Sequence, residues 1–143
     1  MNFANYCVLV AEDSPVFNLL IRRVLKKLQV GHIIVVSDGR KAWSEVVSRN
    51  KKKERQPEVS LVISDWKMPQ MSGIDLLEAM KSDEDLSEVP FMMMTAENTA
   101  NAVKTAIAYG ISDFVSKPVD SMLLEEKIRH VLQKSINCSS RVK

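Results

Sequence analysis

Short apolar runs recur along this chain at Cys7 to Val10, Ile33 to Val36, Val59 to Ile63, Phe91 to Met94 and Ile111 to Val115, with amphipathic segments between them. Runs this short suit strands, and near-continuous apolar character suits strands buried on both faces. Strands alternating with helices fold into a parallel sheet with helices on either side. The expectation is an α/β fold with a doubly wound, five-stranded parallel sheet.

The intervening segments carry a helical period. In the first, Phe17, Leu20, Ile21, Val24, Leu25 and Leu28 follow three-four spacing, while Arg22, Arg23, Lys26 and Lys27 take the other side. Ser14 is placed to cap this helix and Pro15 suits its first turn. The second helix starts near Gly39 and buries Ala42, Trp43, Val46 and Val47; the third starts near Ser72 and buries Leu76, Leu77 and Met80. The fourth turns Val103, Ala106 and Ile107 inward and stops at Gly110, and the fifth carries Leu124, Ile128, Val131 and Leu132. Residues 1–135 are expected to form one domain and residues 136–143 a short polar tail.

With 45% hydrophobic and 27% charged residues the chain has ordinary globular composition, and a net charge of +2 is too small to call for a nucleic acid or a membrane surface as partner. The run Lys51-Lys52-Lys53-Glu54-Arg55 reads as a solvated loop, because Glu54 and Pro57 break it. Cys7 and Cys138 have no paired spacing and suit a reducing, cytoplasmic setting, and the N-terminal residues lack the pattern of an export signal or a spanning segment. His32 and His130 have no metal-spaced companion, and Met92, Met93 and Met94 read as a packed strand. The chain is expected to be a monomer.

The apolar runs end on polar residues of different kinds: Glu12 and Asp13, Asp65, Thr95, and Lys117. Ligands of such sheets bind beyond the carboxyl ends of the strands, so these residues are expected to share one cleft. Crowded carboxylates raise one another's pKa unless a cation intervenes, and an oxygen-only set favours Mg²⁺. Asp65 is then the candidate nucleophile toward phosphorus. Lys117 would neutralise the phosphoryl oxygens, and the Thr95 hydroxyl would either donate to one of them or cap the next helix. Pro118 is a candidate for a cis peptide bond that fixes the lysine backbone.

The segments VLVAEDSPVFNLLIRRVL, LVISDWKMPQMSGIDLL, MMMTAEN and DFVSKP resemble the receiver domain of bacterial two-component response regulators, and most closely the single-domain chemotaxis regulators of the CheY type. The resemblance spans nearly the whole chain and implies a flavodoxin-like sheet of strand order 2-1-3-4-5. It implies that Asp65 takes phosphate from a histidine kinase, with Glu12, Asp13, Asp65 and the backbone carbonyl of Lys67 around Mg²⁺. Thr95, Ala96 and Lys117 would receive the phosphoryl group, and Thr95 and Phe114 would form the switch. The output surface would be the fourth helix, fifth strand and fifth helix, meeting a downstream target such as a flagellar motor switch or another kinase. Glu12 stands where Asp is commoner, and Phe114 lacks the tyrosine hydroxyl of typical chemotaxis regulators.

Lys67 and Glu97 lie two residues beyond Asp65 and Thr95, placed to bridge the cleft mouth and obstruct attacking water, against the alternative of an exposed ion pair without kinetic role. The protein is therefore read as a phosphoacceptor that slowly loses its own phosphate, and not as an enzyme. Competing readings are a Mg²⁺-dependent phosphatase working through an aspartyl-phosphate, which would carry an acid where Lys67 stands, and a pseudo-receiver that binds partners without taking phosphate.

Overall fold

A computed structural model describes residues 3–96 and 99–142, with side chains described as far as residue 134. Among these residues, five strands form one parallel sheet: β1 (Cys7–Ala11), β2 (His32–Val36), β3 (Leu61–Ser64), β4 (Phe91–Thr95) and β5 (Asp113–Ser116), in the order β2-β1-β3-β4-β5. The helices are α1 (Pro15–Lys27), α2 (Gly39–Val46), α3 (Gly73–Lys81), α4 (Ala100–Ala108) and α5 (Ser121–Val142), with a π-helical turn at Val47–Lys51 directly after α2. The α/β class, the five-stranded parallel sheet and its strand order agree with the reading of the sequence. The backbone of α5 runs helically to Val142, through the stretch read as a polar tail.

Alternate residues of each strand enter different cores. Val8, Val10, Leu61, Ile63, Met92, Met94 and Val115 pack with Ile21, Val24, Leu25, Leu124, Ile128 and Leu132 of α1 and α5. Cys7, Leu9, Ala11, Val62, Phe91 and Met93 face the other way, onto Ala42, Val46, Leu76, Leu77 and Met80 of α2 and α3. Burial on both faces is why these strands read as unbroken apolar runs. The methionine run is packing, as expected, with Met92, Met93 and Met94 all buried.

Several local expectations change. Ser14 occupies the N-cap position of α1, but its side chain makes no capping hydrogen bond; its backbone N–H instead donates to Glu12 Oε2 at 3.0 Å. The helix after β4 is capped by Thr99, whose Oγ1 accepts from the Ala102 N–H at 3.2 Å, and not by Thr95. Ala106 is buried as expected, but Ile107 was expected inward and is 62% exposed, and Ala102 takes the other buried position of α4. Gly110, at φ 86°, ends α4 as expected: its N–H donates to Ile107 O, and the Ile111 N–H donates to Ala106 O.

The π-helical turn was not foreseen. It places Asn50, four residues after Val46, on the buried face, where Nδ2 donates to Val59 O at 3.0 Å and Oδ1 accepts from Val59 N at 2.8 Å. The amide thus gives Val59 the two bonds that a neighbouring strand would have given, and β3 proper begins later, at Leu61. The basic run after it is solvated but paired: Lys51 bonds Asp83, Lys53 bonds Glu58, and Arg55 bonds Glu45.

Candidate functional site

Sheet order and register bring the polar strand ends together. Ala11 of β1 is level with Ser64 of β3, so the next residues, Glu12 and Asp65, emerge side by side where the chain connections diverge in opposite directions. Backbone bonds fix each of them: Glu12 N–H to Val36 O, Asp65 N–H to Ala11 O and Lys117 N–H to Thr95 O, at 3.0, 3.0 and 2.9 Å. The Lys117–Pro118 peptide bond is cis, as is Gln56–Pro57, which the sequence reading did not single out.

Lys117 lies at the centre. Its Nζ donates to Glu12 Oε1 at 2.7 Å and to Asp65 Oδ2 at 2.8 Å, and it sits 4.1 Å from the centroid of the Phe17 ring. Burial works against the ammonium, but the hydrogen bonds to Asp65 and Glu12 outweigh it and hold Lys117 above the ordinary lysine value. Glu12 is 1% exposed. Its burial pushes the carboxyl pKa up, an effect that the Lys117 and Ser14 hydrogen bonds only partly oppose and that the charge of Asp65 increases.

The other oxygen of Asp65, Oδ1, accepts from the Trp66 N–H at 2.6 Å. Asp13 stands exposed beside this pair, and Glu12, Asp13 and Asp65 each offer an oxygen within 4.8 Å of the others. Three carboxylates against one nearby ammonium leave the cluster formally negative. Hard, all-oxygen donors at this spacing fit a small divalent cation and not a thiolate- or imidazole-seeking metal.

The remaining predicted residues surround this centre at different depths. Thr95 is buried at the end of β4 and Ala96 is exposed just beyond it. Lys67 is exposed on the loop between β3 and α3. Phe114 is half-buried, its ring packed on the core beneath α2 and α3. Glu97 lies outside the described residues. Neither histidine approaches the site: His32 and His130 are both exposed, on β2 and α5.

Four supporting residues escaped the sequence reading. The buried Ser64 hydroxyl donates to the Asp65 carbonyl at 2.8 Å, and the Asn18 side chain donates to the Glu12 carbonyl at 2.8 Å. A Cβ on Gly73 would stand 2.0 Å from that same Asp65 carbonyl, so α3 can start this close only with glycine. Phe17 was assigned to the core stripe of α1, and nothing local showed that its ring would meet Lys117. The Ser72-Gly73 pair at a helix start was the one available signal for the glycine.

A family model for the response regulator receiver domain matches residues 8–129. The chain belongs to the response regulator receiver family. It is 30% identical over 125 residues to the chemotaxis protein CheY1 of Helicobacter pylori, covering 87% of this chain and 95% of that protein. It is 30% identical over 127 residues to the chemotaxis protein CheY of Pseudomonas aeruginosa, covering 89% and 96%. Among solved structures, the signal receiver domain of a putative Luxo repressor protein from Vibrio parahaemolyticus superposes with a TM-score of 0.80 at 25% identity, covering 97% of this chain and 98% of that one. The chemotaxis response regulator CheY4 of Vibrio cholerae gives 0.73 at 22% identity, covering 88% and 98%. The receiver is thus a homologue of CheY chemotaxis regulators with the role of a signalling phosphoacceptor. No helix among its described residues is long and apolar enough to cross a membrane.

Proposed function

We propose that Asp65 accepts a phosphoryl group from the phosphohistidine of a histidine kinase in a Mg²⁺-dependent reaction, and that the modified protein changes its affinity for a partner through α4, β5 and α5. The observation that carries this reading is the sharing of one ammonium, Lys117 Nζ, between Asp65 and Glu12 at the edge of an acidic cluster. A carboxylate oxygen of Asp65 attacks phosphorus as the P–N bond to the donor imidazole breaks, and the bonding pair leaves with the imidazole nitrogen. Glu12, Asp13, Asp65 and the Lys67 carbonyl would hold Mg²⁺, which when bound supplies positive charge for the phosphoryl oxygens. Lys117 brings a further cation to the same oxygens, the Thr95 hydroxyl donates to one of them, and the small side chain of Ala96 leaves room beside it.

Phosphate on Asp65 adds about −1.5 to −2 charge, enough to favour one arrangement of Thr95 and Phe114 over another when the two differ by a few kcal/mol. The partners are a histidine kinase as donor and a downstream protein, a flagellar motor switch or another kinase, in chemotaxis or related two-component signalling in the cytoplasm. The protein acts as a monomer, and the phosphoryl group is lost slowly by its own hydrolysis.

Intact-mass measurement after incubation with Mg²⁺ and a small acyl phosphate tests the acceptor. The wild type gains one phosphoryl mass and Asp65→Asn gains none. An unmodified wild type would overturn the reading in favour of a pseudo-receiver. Repeated turnover of phosphomonoesters by wild type but not Asp65→Asn would favour a phosphatase, against which Lys67 already weighs, since it stands where such enzymes carry a second acid.

A further inference from the structure

The ammonium of Lys117 has three donors to place. Glu12 Oε1 and Asp65 Oδ2 take two sides at 2.7 and 2.8 Å, and the face of Phe17 takes another at 4.1 Å from ring centroid to nitrogen. These partners differ in what the proposed chemistry does to them. A divalent cation would claim oxygens of Glu12 and Asp65, and phosphorylation would turn the Asp65 carboxylate into an acyl phosphate. The neutral ring is the partner for which neither the cation nor the phosphoryl group competes.

We propose that Phe17 is a positioning residue for Lys117: its ring face holds the ammonium over the acceptor carboxylate while the carboxylates are engaged elsewhere, and so sets the rate at which Asp65 takes phosphate. The inference rests on the reading of Asp65 as phosphoacceptor. Phe17 belongs to the inward stripe of α1 but is only half-buried, at its outer end, whereas Ile21 and Leu25 further along are fully buried. Aliphatic bulk would serve packing at that end equally well. An aromatic face adds negative potential aimed at a cation, an attraction that strengthens where water is excluded, and the Lys117 side chain is 11% exposed. The lysine backbone is held by its bond to Thr95 O, but four flexible methylenes separate that anchor from the charge. The ring restrains the far end.

The test uses the full chain with Mg²⁺ and acetyl phosphate, following phosphorylation by intact mass. Replacing Phe17 with progressively fluorinated phenylalanines weakens the ring face with little change of shape. The maximal rate at saturating donor should fall stepwise along that series and roughly two- to tenfold in Phe17→Leu, while Phe17→Tyr keeps most of it. The donor concentration at half-maximal rate and the Mg²⁺ affinity should change little. A rate that stays flat along the fluorinated series overturns the proposal, even if Phe17→Leu is slow, because that pattern is packing alone. If Phe17→Leu fails to fold, the fluorinated series decides.

A readout that needs no phosphate separates this inference from the acceptor reading. In metal-free protein, the urea midpoints of Phe17→Leu, Lys117→Met and the double variant should show the two changes coupled, the double shifting less than the sum of the singles. Strict additivity overturns the contact. An uncoupled pair with a phosphorylated wild type sinks Phe17, whereas a coupled pair with an unmodified wild type sinks the acceptor.

Discussion

Glu12 is a buried carboxylate, 1% exposed, with its pKa raised first by burial. A folded-state pKa above the unfolded one means that the native protein binds more protons in the window between them. The associated stability is fully present below the unfolded value and is lost as pH rises through the folded value. Metal-free wild type should therefore gain stability relative to Glu12→Gln as pH falls from neutral toward the unreacted glutamate value of 4.5. Urea midpoints of both proteins in chelator across that range check it, and a constant difference would contradict it. Lys67 makes a separate kinetic prediction: Lys67→Asn shortens the lifetime of the phosphorylated state, read by loss of phosphoryl mass with time, if its side chain obstructs attacking water at the cleft mouth. An unchanged or longer lifetime refutes the gate.

At the scale of elements, what the sequence made legible was whatever local chemistry decides. Apolar runs named the strands, most plainly β1, β3 and β4, which are buried on both faces, and three-four spacing named the inward residues of α1, α3 and α5. Strand ends named Glu12, Asp13, Asp65 and Lys117, because a parallel sheet converges its carboxyl edges. What stayed hidden depends on contacts far along the chain. On α4, Ala106 was placed inward correctly and Ile107 was not, because two alanines give a narrow stripe beside the larger, solvent-facing side chain. Thr95 was weighed as a cap by residue type, whereas the backbone makes Thr99, which the sequence reading did not name, the N-cap. Asn50 did leave a trace, an amide continuing the Ala42–Val46 stripe at four-residue spacing, but its meaning required knowing that Val59 lacked a partner on that side. Asn50→Ala strands the buried N–H and C=O of Val59, so it should lower the free energy of unfolding by about 1–3 kcal/mol, read as a shift in urea midpoint without change of slope.

At the scale of the whole molecule, the metal-free fold assembles three carboxylates whose mutual repulsion Lys117 only partly relieves. A cation that binds the native state and not the unfolded chain raises stability by mass action, by about 2.7 kcal/mol at a hundredfold excess over its dissociation constant. Mg²⁺ should therefore raise the thermal midpoint of the wild type in a concentration-dependent way. Asp13→Asn, which removes an exposed carboxylate from the cluster without disturbing the core, should abolish most of that rise. Calorimetry with and without Mg²⁺ measures both, and an equal rise in the two proteins would remove Asp13 from the ligand set. Adding Mg²⁺ should perturb the fluorescence of Trp66, whose backbone N–H is bonded to Asp65, with the second tryptophan, Trp43, diluting the change.

The Asn50–Val59 clasp and the ion pairs of Lys51, Lys53 and Arg55 gather before β3 begins, whereas Asp65 follows the point where it ends. A whole strand length thus insulates the reactive rim from the exposed loop at residues 52–57. That loop is where a dye, an affinity handle or a tether to a surface can be grafted, leaving the chemistry at the far rim to report on its own terms.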